Sequence, residues 1–305
     1  MTQAGTVPEA PSGAEGTAGD RLQARLLRGF YALTGALPLW LASGIGGAVA
    51  RTIGPRLGIT RRADRNIRRA MPELSAAERA RIIRGMWDNL GRVMAEYGHL
   101  ARISCFGPDA RAEVVGTDHV DRAVARGKPI IFFSGHFGNW EMAAIAGVQY
   151  GLDVVEVYRA ANNPATEAVM LALRRSLGVE PVSKGASGAR RIIAAIRAGR
   201  TVGMLVDQKM NDGIPVPFFG RDAMTAPAIA EFALRYDCTL LPVLVERVAG
   251  ARFRVLVEPP VEVRRTGDRR ADTHTIMVEV NRLLESWVRA RPEQWFWLHR
   301  RWPDS

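Results

Sequence analysis

From about residue 112 the chain alternates short apolar runs with longer stretches of helical periodicity, and this alternation restricts the fold more than any other feature. The runs are "EVV" at 113–115, "PIIFFS" at 129–134, "DVVEVY" at 153–158, "TVGMLV" at 201–206, "TLLPVLVE" at 239–246 and "RFRVLVE" at 252–258. Helical stretches fall at about 117–127, 140–149, 164–177, 187–198, 226–236 and 273–290. Runs rich in Val, Ile and Leu suit strands buried on both faces, and strands separated by helices pair in parallel. The expected fold class is α/β, a mostly parallel central sheet flanked by helices. No repeat or long linker divides residues 105–305, which read as one α/β domain.

The N-terminal third differs. Residues 1–20 are rich in Gly, Pro and small side chains without apolar periodicity, and read as a disordered tail without a secretory signal. Residues 21–104 read as helical. Within them, 29–50 carry no charge, while Arg21, Arg25 and Arg28 precede them and Arg51, Arg56, Arg61 and further arginines follow. A stretch of this length can span a bilayer, which takes about 20 apolar residues. Pro38 at its middle and arginines at both ends fit equally two short helices hinged at Pro38 and lying in the membrane interface. A pair of buried core helices is the third alternative. The region 21–104 is therefore expected to associate with a membrane, single-pass or monotopic through 29–50. After Pro72 an amphipathic core helix follows, with Ser75 and Glu78 at capping-box spacing.

The chain carries 42 basic against 31 acidic residues, a net charge of +11, and its only lysines are Lys128, Lys184 and Lys209. Such a surface suits anionic lipids, phosphorylated substrates or an acidic carrier protein. Nucleic acid is disfavoured, because the arginines concentrate beside the apolar stretch and no recognition motif is present. Cys105 and Cys238 stand far apart, and neither HExxH nor a Cys cluster occurs, so no metal and no cofactor is expected.

"FFSGHFGNWE", residues 132–141, holds the candidate chemistry. Ligands of open α/β sheets gather at the carboxyl ends of strands, and "PIIFFS" delivers Gly135 and His136 to such an edge. Residues five apart on one helix point about 140° apart. With His136 in the loop and Glu141 in the first helical turn, however, the carboxylate can reach back to the imidazole and hold it as a general base. The backbone N–H groups around Gly138 and Asn139, near a helix start, are candidates for an oxyanion or phosphate. "GxSxG" is absent and no nucleophile is signalled, so the substrate is expected to supply the hydroxyl.

"GHFGNWE" resembles the HX4E signature of the lipid A biosynthesis (lauroyl/myristoyl) acyltransferases, a branch of the lysophospholipid/glycerolipid acyltransferase superfamily with its HX4D/E motif. Further blocks in the same order are similar to that family: "NIRRAMPELS" at 66–75, "VYRAANNP" at 157–164, "VDQKMNDGIPVPFFG" at 206–220, "LLPV" at 240–243 and "PEQWFWLHRRW" at 292–302. Ala160 replaces the family's usual Pro, and Ile67 and Met71 are conservative departures.

The resemblance implies transfer of a fatty acyl chain from acyl carrier protein to a hydroxyl of a lipid A precursor of the Kdo2-lipid IVA type. The place would be the cytoplasmic face of the inner membrane, among its anionic lipids. A glycerophospholipid or other glycolipid acyltransferase is the nearest alternative, and a hydrolase using water at His136 a further one. His136 would be the base and Glu141 its partner, without a covalent acyl-enzyme. Arg159 is assigned to a phosphate of donor or acceptor, or is a surface arginine. Asp207, with Gln208 beside it, is a substrate-site residue or an arginine's ion-pair partner. "VPFFG" packs in the core or lines an acyl slot, and Trp295, Trp297 and Trp302 sit at a membrane interface or clamp the core.

Overall fold

The structure, a computed structural model, describes residues 17–302. Four helices come first: α1 (Ala18–Ala36), α2 (Leu39–Ile53), α3 (Thr60–Ala70) and α4 (Ala76–Glu96). The alternating region follows as β1 (Ala112–Val115), α5 (Thr117–Ala125), β2 (Ile130–Ser134), α6 (Glu141–Gln149), β3 (Val154–Tyr158), α7 (Pro164–Ser176), β4 (Glu180–Ser183), α8 (Ala186–Arg197) and β5 (Thr201–Leu205). It ends with β6 (Lys209–Phe218), β7 (Arg221–Thr225), α9 (Ala228–Tyr236), β8 (Thr239–Ala249), β9 (Arg252–Val257) and α10 (Arg269–Ala290).

Seven strands form one sheet in the order β1-β9-β8-β2-β5-β3-β4. All neighbours pair in parallel except β8 and β9, a hairpin. Alternate side chains of each central strand enter opposite cores, as the two-residue period of a strand requires. Ile131, Phe133, Val155, Val157 and Met204 pack with α3, α4 and α8 to α10 on one face. Ile130, Phe132, Val154, Leu241 and Val243 pack with α1 and α5 to α7 on the other. The expected mostly parallel α/β sheet is present. Three strands escaped the sequence: β4, whose "EPVS" is short and holds a proline, and the separate antiparallel pair β6–β7, which runs through polar "KMND".

The helical part departs from expectation at its start. Residues 1–16 of the expected tail lie outside the described residues, but 17–20 already belong to α1 and its cap. Thr17 Oγ1 accepts from the Asp20 N–H while the Asp20 carboxylate accepts from the Thr17 N–H, a capping box that outweighs the small-residue composition. Ser75 and Glu78 form the expected second one at α4. The backbone breaks at Pro38, which caps α2, leaving helices of 19 and 15 residues. Among the described residues no helix is long and apolar enough to cross a membrane, so the single-pass alternative is not supported. Instead α2 lies against α4 so closely that a Cβ on Gly91 would come within 2.2 Å of the Gly46 carbonyl oxygen. The glycines that interrupt the apolar stretch thus serve a helix crossing.

α1 and α2 are also inverted relative to ordinary surface helices. Apart from Tyr31, which stacks on Tyr97, their buried positions are small or polar: Ala24, Thr34, Ala42, Ser43 and Gly47. Leu22, Leu26, Phe30 and Leu33 on α1, and Trp40, Ile45, Val49 and Ile53 on α2, are exposed.

Candidate active site

β2 and β5 are adjacent parallel strands, with Ser134 in register with Leu205. The chain leaving β2 places His136 two residues beyond the strand, and the chain leaving β5 places Asp207, likewise two residues on, beside it. Asp207 is fully buried. Its Oδ1 lies 2.8 Å from His136 Nδ1, while its Oδ2 accepts the His136 backbone N–H at 2.7 Å and the Trp295 indole N–H at 2.8 Å. Burial acts to raise the Asp207 carboxyl, but the imidazole and the hydrogen bonds from His136 outweigh it and hold the group well below the usual carboxylate range. A carboxylate accepting from Nδ1–H leaves Nε2 as the basic nitrogen, and Nε2 lies 3.4 Å from the Gln208 amide nitrogen. The imidazole is partly exposed, at 15% of its side chain.

The expected partner of His136 is therefore corrected from Glu141 to Asp207. Glu141 starts α6 as anticipated, but its side chain turns inward. Its Oε1 accepts from the Tyr97 hydroxyl at 2.6 Å and from Arg174 at 3.2 Å. Arg174, on α7, also pairs with Glu156 of β3 at 3.2 Å. One guanidinium thus faces two buried carboxylates. Burial, then the charge of Glu141, pushes Glu156 up to about 8 against the pull of Arg174.

Gly138 and Asn139 are corrected too. The Gly138 N–H donates to the Gln294 carbonyl and its own carbonyl accepts from Asn89, so this amide is not open to a substrate. At φ +52°, with a Cβ that would come within 2.6 Å of the Val245 carbonyl oxygen, the position requires glycine. Asn139 is wholly buried and donates to Glu96 at 2.9 Å. Both residues shape the turn from within.

The sequence offered no sign of what clamps this turn. Glu96 of α4 accepts from Arg247 of β8 through both oxygens, at 2.5 and 2.9 Å, and from Ser43 of α2 at 2.7 Å. Arg247 reaches Asn89 at 2.8 Å and exchanges hydrogen bonds with Gln294. The Phe296 N–H donates to the His136 carbonyl. Helix α4, strand β8 and the C-terminal segment thereby grip residues 136–139 from three sides. Trp295, Trp297 and Trp302 are buried, which settles their alternatives in favour of a clamp on the core, and Val216, Phe218 and Phe219 of "VPFFG" are core residues as well.

His299 comes from the same C-terminal segment. One donor atom each from His136, Asp207 and His299 lie within 4.8 Å of one another, a nitrogen and oxygen set of the kind that binds zinc. The oxygens of Asp207 accept three N–H groups. Burial pushes His299 down to about 3, so it is neutral at physiological pH. Ser134 is buried and its hydroxyl donates to the Gly135 carbonyl, which keeps it from acting as a nucleophile in this arrangement. Arg159 follows the last residue of β3 at the same sheet edge and is exposed.

A partly exposed imidazole, aligned by a buried carboxylate at the carboxyl ends of parallel strands, is an arrangement that can act as a general base. Over 282 residues the chain is 26% identical to the lipid A biosynthesis palmitoleoyltransferase of Escherichia coli (strain K12), covering 86% of this chain and 88% of that protein. It is 26% identical over 274 residues to the lipid A biosynthesis lauroyltransferase of the same organism, covering 86% and 83%. It is also 26% identical over 191 residues, 61% of this chain and 58% of the relative, to a phosphatidylinositol mannoside acyltransferase of Mycobacterium tuberculosis (strain ATCC 25618 / H37Rv). The model of the bacterial lipid A biosynthesis acyltransferase family matches residues 22–304, and the chain belongs to that family.

Proposed function

We propose that the protein moves a fatty acyl chain of the lauroyl or myristoyl class from acyl carrier protein to a hydroxyl of a lipid A precursor, at the cytoplasmic face of the inner membrane. The observation that carries the reading is His136, fixed through Nδ1 on Asp207 with Nε2 turned to Gln208 at the sheet edge. Nε2 takes the proton of the acceptor hydroxyl as its oxygen attacks the thioester carbonyl. The Gln208 amide, beside Nε2, is placed to donate to the oxyanion that develops. Collapse of the tetrahedral intermediate breaks the C–S bond, and the imidazolium returns its proton to the leaving thiolate. Glu141 acts at one remove, by anchoring the first turn of α6 on Tyr97 and Arg174.

The exposed apolar faces of α1 and α2, flanked by arginines, support residues 21–104 as a monotopic membrane-associating region and 105–305 as the catalytic domain.

The experiment is incubation of the protein with acyl-carrier thioester and with the coenzyme A thioester, each with and without a bisphosphorylated glucosamine-disaccharide lipid. Mass spectrometry of the lipid is expected to show one added acyl ester, dependent on the carrier thioester and lost in His136→Ala. Thioester cleavage that ignores the acceptor would make the protein a hydrolase. Product formed only on a phosphatidylinositol mannoside would move it to the other glycolipid class, which the similarity to the mycobacterial relative brings into the assay.

A further inference from the structure

The edge that carries His136 and Asp207 continues into two cations. In the sheet β5 is followed by β3 and β4, parallel neighbours whose last registered pair is Tyr158 with Ser183. The next residues are Arg159 and Lys184, and the Lys184 N–H donates to the Tyr158 carbonyl at 2.9 Å. The edge therefore reads, strand by strand, imidazole, carboxylate, guanidinium, ammonium. The charges of both Asp207 and Arg159 act on the Lys184 ammonium. Desolvation lowers its pKa, Asp207 raises it and Arg159 lowers it.

Cations elsewhere in the chain commonly meet carboxylates: Arg174 with Glu141 and Glu156, Arg200 with Asp153 and Glu180, Lys128 with Asp237, Arg247 with Glu96. Among the described residues neither Arg159 nor Lys184 has a carboxylate within salt-bridge distance. Two like charges at the ends of adjacent strands, neither in ion-pair contact with a carboxylate, repel, and a bound dianion relieves that repulsion while gaining charge-assisted hydrogen bonds from both. The two residue types complement each other in holding an anion, arginine as a planar fork and lysine, one of only three in this arginine-rich chain, as a compact point charge. Helix α8 begins just beyond Lys184 without a side-chain cap, and its dipole adds to the positive field there.

We infer that Arg159 and Lys184 form an anion subsite that holds a phosphate group of a substrate beside the His136–Asp207 pair. The assignment deepens the acyl-transfer reading and rests on it. The phosphate has two possible sources, the lipid acceptor and the phosphopantetheine arm of the donor, and the assay separates them.

Steady-state kinetics on the full chain would use the bisphosphorylated lipid and its dephosphorylated form as acceptors. The carrier thioester and an acyl thioester of unphosphorylated pantetheine would be the donors. Lys184→Gln is expected to raise one KM about tenfold, the scale of one charge-assisted hydrogen bond, with kcat less affected. If the acceptor supplies the phosphate, the rise appears with the bisphosphorylated lipid and not with its dephosphorylated form. If the donor does, it appears with the carrier thioester and not with the pantetheine thioester. Lys184→Arg restores the KM in either case. Unchanged KM values for all four substrates, or an arginine variant as impaired as glutamine, would overturn the assignment.

Binding of inorganic pyrophosphate by calorimetry supplies a readout independent of turnover. Lys184→Gln should weaken it about tenfold, while Lys128→Gln, at a cation already paired with Asp237, should not. Should the wild type transfer no acyl group, the acyl-transfer reading fails. The pyrophosphate comparison then still decides the subsite, and equal binding by all three proteins overturns it.

Discussion

His136 Nδ1 lies 2.8 Å from Asp207 Oδ1, although the two residues are 71 positions apart and the nearer carboxylate, Glu141, points elsewhere. The sheet order makes the pair. Strand β5 inserts beside β2, so the residues leaving the two strands meet at one edge. Trp295 and the His136 backbone N–H fix the second oxygen, so the carboxylate cannot swing away without losing two further hydrogen bonds.

Asp207→Asn removes the charge that stabilises the imidazolium and sets an amide where two N–H donors converge. The expected loss in kcat is about 10²–10⁴-fold with KM little changed. Initial-rate kinetics check it, with near-UV circular dichroism to establish that the fold is kept.

Glu141→Ala should act first on stability. It unpairs the Tyr97 hydroxyl and removes one of two carboxylates that face Arg174. Breaking a buried ion pair from one side costs up to about 3–5 kcal/mol, and the remaining Glu156 places the expected loss near the lower end. Urea denaturation measures it. An alanine variant of full stability and reduced kcat would instead put Glu141 in the proton transfer.

The two carboxylates show where sequence reasoning reached and where it stopped. The strand "PIIFFS", the turn after it and His136 at the edge are local features, set by apolar runs, glycines and helix periodicity. So were six of the sheet's seven strands and the break at Pro38. Which carboxylate faces the imidazole depends on strand order, and neither composition nor spacing encodes that order when helical crossovers separate the strands. Proximity in sequence favoured Glu141, while the family block "VDQ" marked Asp207 only as a site residue. The clamp of Glu96, Arg247, Asn89 and Gln294 left no local trace, because each residue is an ordinary polar side chain until tertiary packing buries it. Indoles suit interfaces and cores alike, so "WFWLHRRW" also needed the structure to place it.

Glu156 gives the stability a pH dependence of known sign. Its folded pKa is raised to about 8 from an ordinary value of 4.5, so between these pH values the folded state binds the proton that the unfolded state has released. Stability from this group is full below about pH 4.5 and falls as pH rises through about 8. Glu156→Gln mimics the protonated form and should flatten the decline, so its melting temperature exceeds that of the wild type by a margin that grows from pH 6 to pH 9. Differential scanning calorimetry across that range reads it, and parallel curves for the two proteins would contradict it.

The outward apolar residues of α1 and α2 carry the last expectation. Leu26, Leu33 and Trp40 are 66%, 65% and 67% exposed, on helices whose small residues are buried instead. Large apolar side chains exposed along two successive helices mark a binding face, and the arginines that flank them suit lipid phosphates. These side chains support nothing in the core, so replacing all three with serine should leave the melting temperature close to that of the wild type. Each large apolar side chain withdrawn from water contributes about 1.5–3 kcal/mol, so the triple variant should lose at least about a hundredfold in affinity for vesicles containing phosphatidylglycerol. Vesicle flotation reads the binding, and transfer to a short-chain, water-soluble acceptor should persist. Loss of that transfer together with a lowered melting temperature would mean that the face is part of the folded core's support and not a membrane contact.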